Sequence, residues 1–217
     1  MSAQPAEVAG GERSRDRDRT RADILDVATG EFADKGYAGA RVDEIAAKTS
    51  TTKRMIYYYF GSKEGLYVAV LERAYAVIRN IEQEIDVEHL APVEAIRRLA
   101  EATFDHHESH PDFIRLVSIE NIHGASYIER SSMLSGLATP VVDVLGRILE
   151  RGRADGVFRE DVDPLDVHMM ISAFCIFRTA NRYTFRAIFN RDMLDPARRE
   201  HYRTMLGEMV LEYLTAK

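Results

Sequence analysis

Cysteine is nearly absent: Cys175 is the only one in 217 residues. A lone thiol can build neither an intrachain disulfide framework nor a cysteine-rich zinc site. Its place in the apolar run ISAFCIF marks it as a buried structural thiol. Long hydrophobic runs are missing too, because charges break every apolar stretch before the roughly 18 residues that a membrane span needs. The opening segment is small and polar with no apolar core, so no secretory signal is expected and the protein is expected in the cytoplasm. Positive charge is scarce overall: 29 Lys and Arg against 35 Asp and Glu leave a net −6, which argues against a general polyanion binder. No phosphate-cradling glycine loop, serine elbow or paired-carboxylate arrangement stands out, so neither a cofactor nor enzyme chemistry is expected. Strand alternation and internal repeats are lacking as well.

Helical periodicity is what remains, and 46% hydrophobic content is enough to fill the cores of a small module and a larger domain. Residues 1–19, ending in RSRDRDR, read as a disordered tail. Ile24, Leu25, Ala28 and Phe32 then line one face of a helix that stops near Lys35-Gly36, where glycine suits a left-handed cap. A second helix, Val42 to Lys48, turns Val42, Ile45 and Ala46 inward. Thr49-Ser50-Thr51-Thr52 breaks it, because hydroxyl side chains compete for backbone groups. A third helix runs from Lys53 to Phe60 with Thr52 as N-cap and Ile56 and Phe60 inward, which makes a helix-turn-helix. Ser62 caps a fourth helix reaching about Ile85, and further helices are expected near 91–109, 111–123, 126–155 (with a break before Pro140 as an alternative), 163–189 and 196–215. The fold class is all-α: a helix-turn-helix domain over 20–65, joined by a helix to a C-terminal bundle within 66–217.

Charge distribution restores the possibility of DNA. Residues 41–63 hold five basic side chains (Arg41, Lys48, Lys53, Arg54, Lys63) against Asp43 and Glu44. In a helix-turn-helix the start of the second helix enters the major groove, and here that start reads Thr52, Lys53, Arg54, Met55. Lys53 and Arg54 can donate to guanine edges or phosphates, and Met55 can meet a thymine methyl. Tyr58 and Tyr59 step away from the core face and offer hydroxyls to phosphates, while Tyr57 completes the small core. Lys63, at the start of the fourth helix, reads as a phosphate clamp. Arg41 admits two readings, a phosphate contact and an ordinary solvated arginine.

The stretch AGARVDEIAAKTSTTKRMIYYYFGSKEGLYVAVL, and within it IYYYFGSKEGL from Ile56 to Leu66, resembles the DNA-binding domain of the tetracycline-repressor (TetR) family. Ser50 stands where that family often has glycine, and Arg54 where it often has a small residue. The resemblance implies a sequence-specific transcriptional regulator: a repressor that binds a pseudo-palindromic DNA operator as a homodimer and is released by a small-molecule effector. It also implies that the C-terminal domain dimerises through its last two long helices. Independently, Tyr202, Met205, Leu206, Met209, Val210 and Tyr213 recur at helical spacing, a stripe that must be buried somewhere and is taken as the dimer interface.

Other chemistry is weaker. His106 and His110 are four apart and could share a metal ion, but no third ligand is indicated and a polar helix end explains HHESHP, so no metal is expected. The alternative function is a helical enzyme using Glu120 and His123. For the effector, Phe113, Leu116, Glu120 and Asn121 on one helix and Phe174, Phe177, Arg178 and Asn181 on another combine apolar walls with a few polar groups. A core network in which Arg178 pairs with Glu120 is the competing account of the same residues.

Overall fold

The structure is a computed structural model that describes residues 6–85, 89–136 and 139–215. Its elements are eleven α-helices with two short 3-10 turns, and there is no strand among the described residues. They are α1 (Ala6–Gly39), α2 (Val42–Lys48), α3 (Lys53–Phe60), α4 (Lys63–Gln83), α5 (Pro92–Ser109), α6 (Pro111–Ile122), α7 (Ser132–Gly136), α8 (Thr139–Ala154), α9 (Pro164–Ala180), α10 (Arg182–Phe189) and α11 (Arg199–Thr215). They divide into two compact units, Met1–Arg73 and Ala74–Lys217.

The smaller unit closes on Ile24, Phe32, Ile45, Ile56, Leu66 and Tyr67, all fully buried. The first turns of α4 belong to it: Tyr67 packs edge-on against Phe32 at 4.8 Å, and Arg73 pairs with Asp26 at 2.7 Å. Gly36 takes a φ of 68° and kinks α1 where the sequence places a left-handed cap. Residues 1–5 of the expected tail lie outside the described residues. From Ala6 onward the structure shows helix where disorder was expected. Alternating Arg and Asp suit a solvated helix, because opposite charges meet one turn apart, as Arg19 and Asp16 do at 3.5 Å.

In the larger unit α5, α8, α9 and α11 enclose a core that includes Leu99, Phe104, Leu145, Ile148, Val167, Leu206 and Leu214. Arg199 and Arg203 of α11 bind Asp105 of α5, fixing that pair of helices. Two segments depart from the expected helices. The turn at Gly124 and Ala125, both with positive φ, lies in the expected gap, but 126–155 opens with a 3-10 turn at Ile128–Arg130 before α7, where the Ser131 hydroxyl accepts from Leu134 N at 3.1 Å, and the break expected before Pro140 falls on residues 137–138, outside the described ones. In 163–189 the helix ends at Ala180 because the loop after α10 folds back on α9. Arg178 donates to Met193 O at 2.9 Å, and Arg182 pairs with Asp192 at 2.7 Å.

Candidate nucleic-acid interface

Short-range chemistry sets the position of α3. The Thr52 hydroxyl accepts from Met55 N at 3.3 Å and starts the helix, and buried Ile56 anchors it. Gly61 ends it at a φ of 74°. Gly65 lets α4 start directly beneath it, since any Cβ there would strike the Phe60 carbonyl oxygen. The glycines of FGSKEGL are therefore what permit this tight passage from α3 to α4.

Thr52, Lys53 and Arg54 are exposed and Met55 is half-buried, so the leading edge of α3 faces outward. The tyrosines differ from expectation: Tyr57 is exposed rather than core, Tyr58 is the most exposed at 64%, and Tyr59 is half-buried. At steps of about 100°, Tyr59 lies nearer in angle than Tyr57 to Ile56, which is fully buried, whereas Tyr57 lies nearer to Phe60, which is itself only half-buried. Tyr59 accordingly packs on Tyr58 at 5.4 Å and on Phe60 at 6.2 Å.

The basic residues have distinct surroundings. Lys48 is spent internally, its ammonium 2.8 Å from Glu31, which is buried beneath it. Lys53 donates to Asp43 at 3.0 Å, a bond that raises its pKa and ties α3 to α2. Lys63 sits over the Tyr37 ring at 4.7 Å and donates to Ala38 O at 3.5 Å, and burial lowers its pKa. Arg41, Lys53, Tyr57 and Lys63 nonetheless line one shallow, open depression, so three of the basic side chains singled out by sequence converge. No hydrogen bond or ion pair among the described residues engages Arg54, which is exposed. Sequence reasoning missed Arg17 and Arg21: Arg17 donates to the Tyr58 hydroxyl at 3.2 Å, and Arg21 lies over the Phe60 ring at 5.3 Å. Their spacing, four apart on the exposed side of α1, was the available signal.

The helix-turn-helix region, residues 24–70, matches the family model for bacterial regulatory proteins of the tetR family. Residues 92–210 match the tetracyclin repressor-like C-terminal domain. The chain belongs to the TetR family. It is 34% identical over 204 residues to the HTH-type transcriptional repressor NicS of Pseudomonas putida, covering 94% of this chain and 96% of that one. It is 35% identical over 111 residues to the HTH-type transcriptional repressor SCO4008 of Streptomyces coelicolor, covering 50% and 53%. Among solved structures, the transcriptional regulator SCO4942 of Streptomyces coelicolor aligns with a TM-score of 0.66 at 29% identity over 88% of this chain and 97% of that one. A tetR-family regulatory protein from Rhodococcus RHA1 aligns at 0.71 with 18% identity over 91% and 98%, a likeness of fold. This TetR-family chain is thus a DNA-binding regulator of transcription.

The remaining candidate residues scatter. Leu116 and Phe113 are buried, Asn121 is exposed and donates to Val117 O at 2.9 Å, and Phe177 and Asn181 stand on the surface. Phe174 packs against the main core. Arg178 does not pair with Glu120. It binds Glu108 at 2.8 Å and lies over the Phe104 ring at 4.0 Å, because the return of the loop after α10 fixes it there. Glu120 instead accepts from Tyr127 N and Ile128 N, each at 3.2 Å, and His123 is exposed at the end of α6. On α11, Leu206 and Val210 are 1% exposed and belong to the protomer's own core, so they cannot face a partner, whereas Met209 is 48% exposed. Burial pushes the Cys175 thiol up to about 12. No helix among the described residues is long and apolar enough to cross a membrane, and among them no three His, Cys, Asp or Glu could hold a metal ion.

Proposed function

We propose that this TetR-family chain is a cytoplasmic repressor. In this reading it binds a pseudo-palindromic operator in double-stranded DNA as a homodimer and leaves it when a small molecule occupies the 66–217 domain. The observation that carries the reading is the outward edge of α3, where Arg54, Met55 and Tyr58 project while Ile56 holds the helix in place. Arg54 supplies base readout, and Thr52, Lys53, Tyr58, Tyr59, Arg41 and Lys63 supply phosphate contacts and register. The relatives named as repressors, NicS and SCO4008, support the direction of control.

A dimer follows from surface left uncovered. Leu165, Met169, Ala173 and Phe177 recur every four residues along the exposed side of α9, and Tyr183, Ile188 and Phe189 of α10 are also exposed. Such a face needs a partner, and a second copy related by a twofold axis places two recognition helices on half-sites about 34 Å apart. On α11, Met205 and Met209 keep exposed surface and are assigned to the same interface, while Tyr202 and Tyr213 pack against the protomer's own core. Residues 20–65 act as the DNA-reading domain, and α4 carries the chain from one unit to the other. A ligand coupling of about 1–3 kcal/mol there suffices for a 5- to 150-fold change in operator affinity.

Light scattering is expected to give twice 24.6 kDa, and Met169→Asp with Phe177→Asp to abolish both the dimer and tight DNA binding. A wild-type monomer that binds DNA tightly and site-specifically contradicts the reading.

A further inference from the structure

In the larger unit, α4 and α5 each bury polar atoms that have no partner, and the charge of the α4 residue reaches the α5 one. His106 is 3% exposed, and neither of its ring nitrogens has a hydrogen-bond partner. The His110 ring stacks on it at 4.2 Å and Phe113 meets it at 5.5 Å, so it cannot turn to water without breaking both contacts. Arg79 of α4 pairs with buried Glu82, yet its Nε–H is also unpartnered. Each such atom costs folding free energy, and native structures seldom leave one without a use. The neighbouring rings are satisfied by contrast: His107 Nδ1 lies 2.8 Å from Thr103 O, and His110 Nδ1 lies 3.0 Å from His106 O. A carbonyl only accepts, so both rings carry their proton on Nδ1.

The surrounding charges set the sign of what fits. Burial first, and then the positive charge of neighbours including Arg79, hold His106 at about 3. Burial likewise brings His107 and His168 to about 4, with the Arg79 charge reaching both. The rings are therefore neutral, and Glu82 is engaged by Arg79. The other buried acid of this region, Glu120, is turned to the Tyr127 and Ile128 amides. A cation would meet the guanidinium. An anion meets two donors that lack acceptors, Arg79 Nε–H and the His106 ring N–H, beside the apolar cluster of Ile78, Phe113 and Ile114.

We infer that His106 and Arg79 anchor the effector and that the effector is a small organic carboxylate. Its two oxygens accept from Arg79 Nε–H and the His106 ring, and its body lies against Phe113 and Ile78. The inference rests on the ligand-release reading and places the site apart from Arg178 and Asn181.

The test uses the full-length protein without DNA, with benzoate as probe and benzamide as its uncharged counterpart. Calorimetry is expected to show saturable benzoate binding, with benzamide weaker by about tenfold or more. His106→Phe keeps an aromatic ring between His110 and Phe113 while removing both unpartnered nitrogens. It is expected to melt at or above the wild-type temperature and to lose benzoate binding. Equal binding of the two probes, no benzoate binding at millimolar concentration, or undiminished binding by His106→Phe overturns the inference. Since DNA is left out, benzoate that binds as expected but fails to release the protein from DNA would contradict ligand release and leave the anchor standing.

Discussion

The two units differ in how they hold their buried polar groups. In the DNA-reading unit Glu31 is 3% exposed but receives Lys35 at 2.7 Å and Lys48 at 2.8 Å, and Lys35 also reaches Glu44 on α2. Burial alone would raise the Glu31 carboxyl, but the two lysine hydrogen bonds outweigh it and hold the pKa at about 2. The larger unit keeps one buried arginine fully engaged, Arg178, and leaves His106 and part of Arg79 unsatisfied. A reading head gains from a single rigid geometry, whereas a ligand site needs groups whose bonds are completed only when something arrives.

Breaking the satisfied arginine should have the largest effect. Arg178→Ala removes the donor to Met193 O and leaves Glu108 with Arg199 alone, and it is expected to cost about 3 kcal/mol in urea unfolding. A loss below about 1 kcal/mol would mean that this arginine is not a structural tie. Glu31→Gln comes next, at about 2 kcal/mol, because a neutral amide cannot take two ammonium partners as well. The sign with pH follows from the lowered folded-state pKa: the stabilisation is full above the ordinary value of 4.5 and disappears as pH falls toward 2. Acid titrations of the two proteins should therefore converge in that window.

His106→Phe sharpens the contrast from the other side, with a gain of about 1 kcal/mol at neutral pH. His106 has a folded-state pKa below the unfolded 6.5, so acid favours the unfolded chain: stability is full above about 6.5 and falls as pH drops toward 3. The variant should lose part of that slope. The smallest effect is at Lys63, whose ammonium already rests on Tyr37 and Ala38 O. Lys63→Ala should flatten the salt slope of DNA binding by about 0.9. Lys48→Ala, despite its charge, should leave that slope unchanged while lowering stability.

Legibility in the sequence followed contact range. The bounds of α2 and α3, the Thr52 cap and the Gly36 kink were readable because each depends on residues within a few positions. Spacing alone also singled out Arg41, Lys53 and Lys63, which the fold brings into one depression. Tyr57 and Tyr59 were exchanged because they lie at equal angles on either side of the Ile56–Phe60 face, so spacing alone could not say which ring turns inward. The break at Asn181, the partners of Arg178 and the burial of Leu206 and Val210 were out of reach, since each is set by segments distant in sequence. The helical stripe on α11 could not reveal whether its own subunit or another would cover it. Arg79 and His106 could not be paired from sequence because the charge of one reaches the other only across the fold.

The central claim, that α3 reads DNA through its outward edge, is tested most directly by selecting DNA from a random pool with the wild type and with Arg54→Ala. The wild type should enrich two inverted half-sites whose centres lie about one helical turn apart, or a multiple of it. Arg54→Ala should still bind, but with relaxed preference at one symmetric position in each half-site and a loss of about 1–3 kcal/mol. Recovery of an identical motif at identical affinity, or of no motif by the wild type, would contradict it.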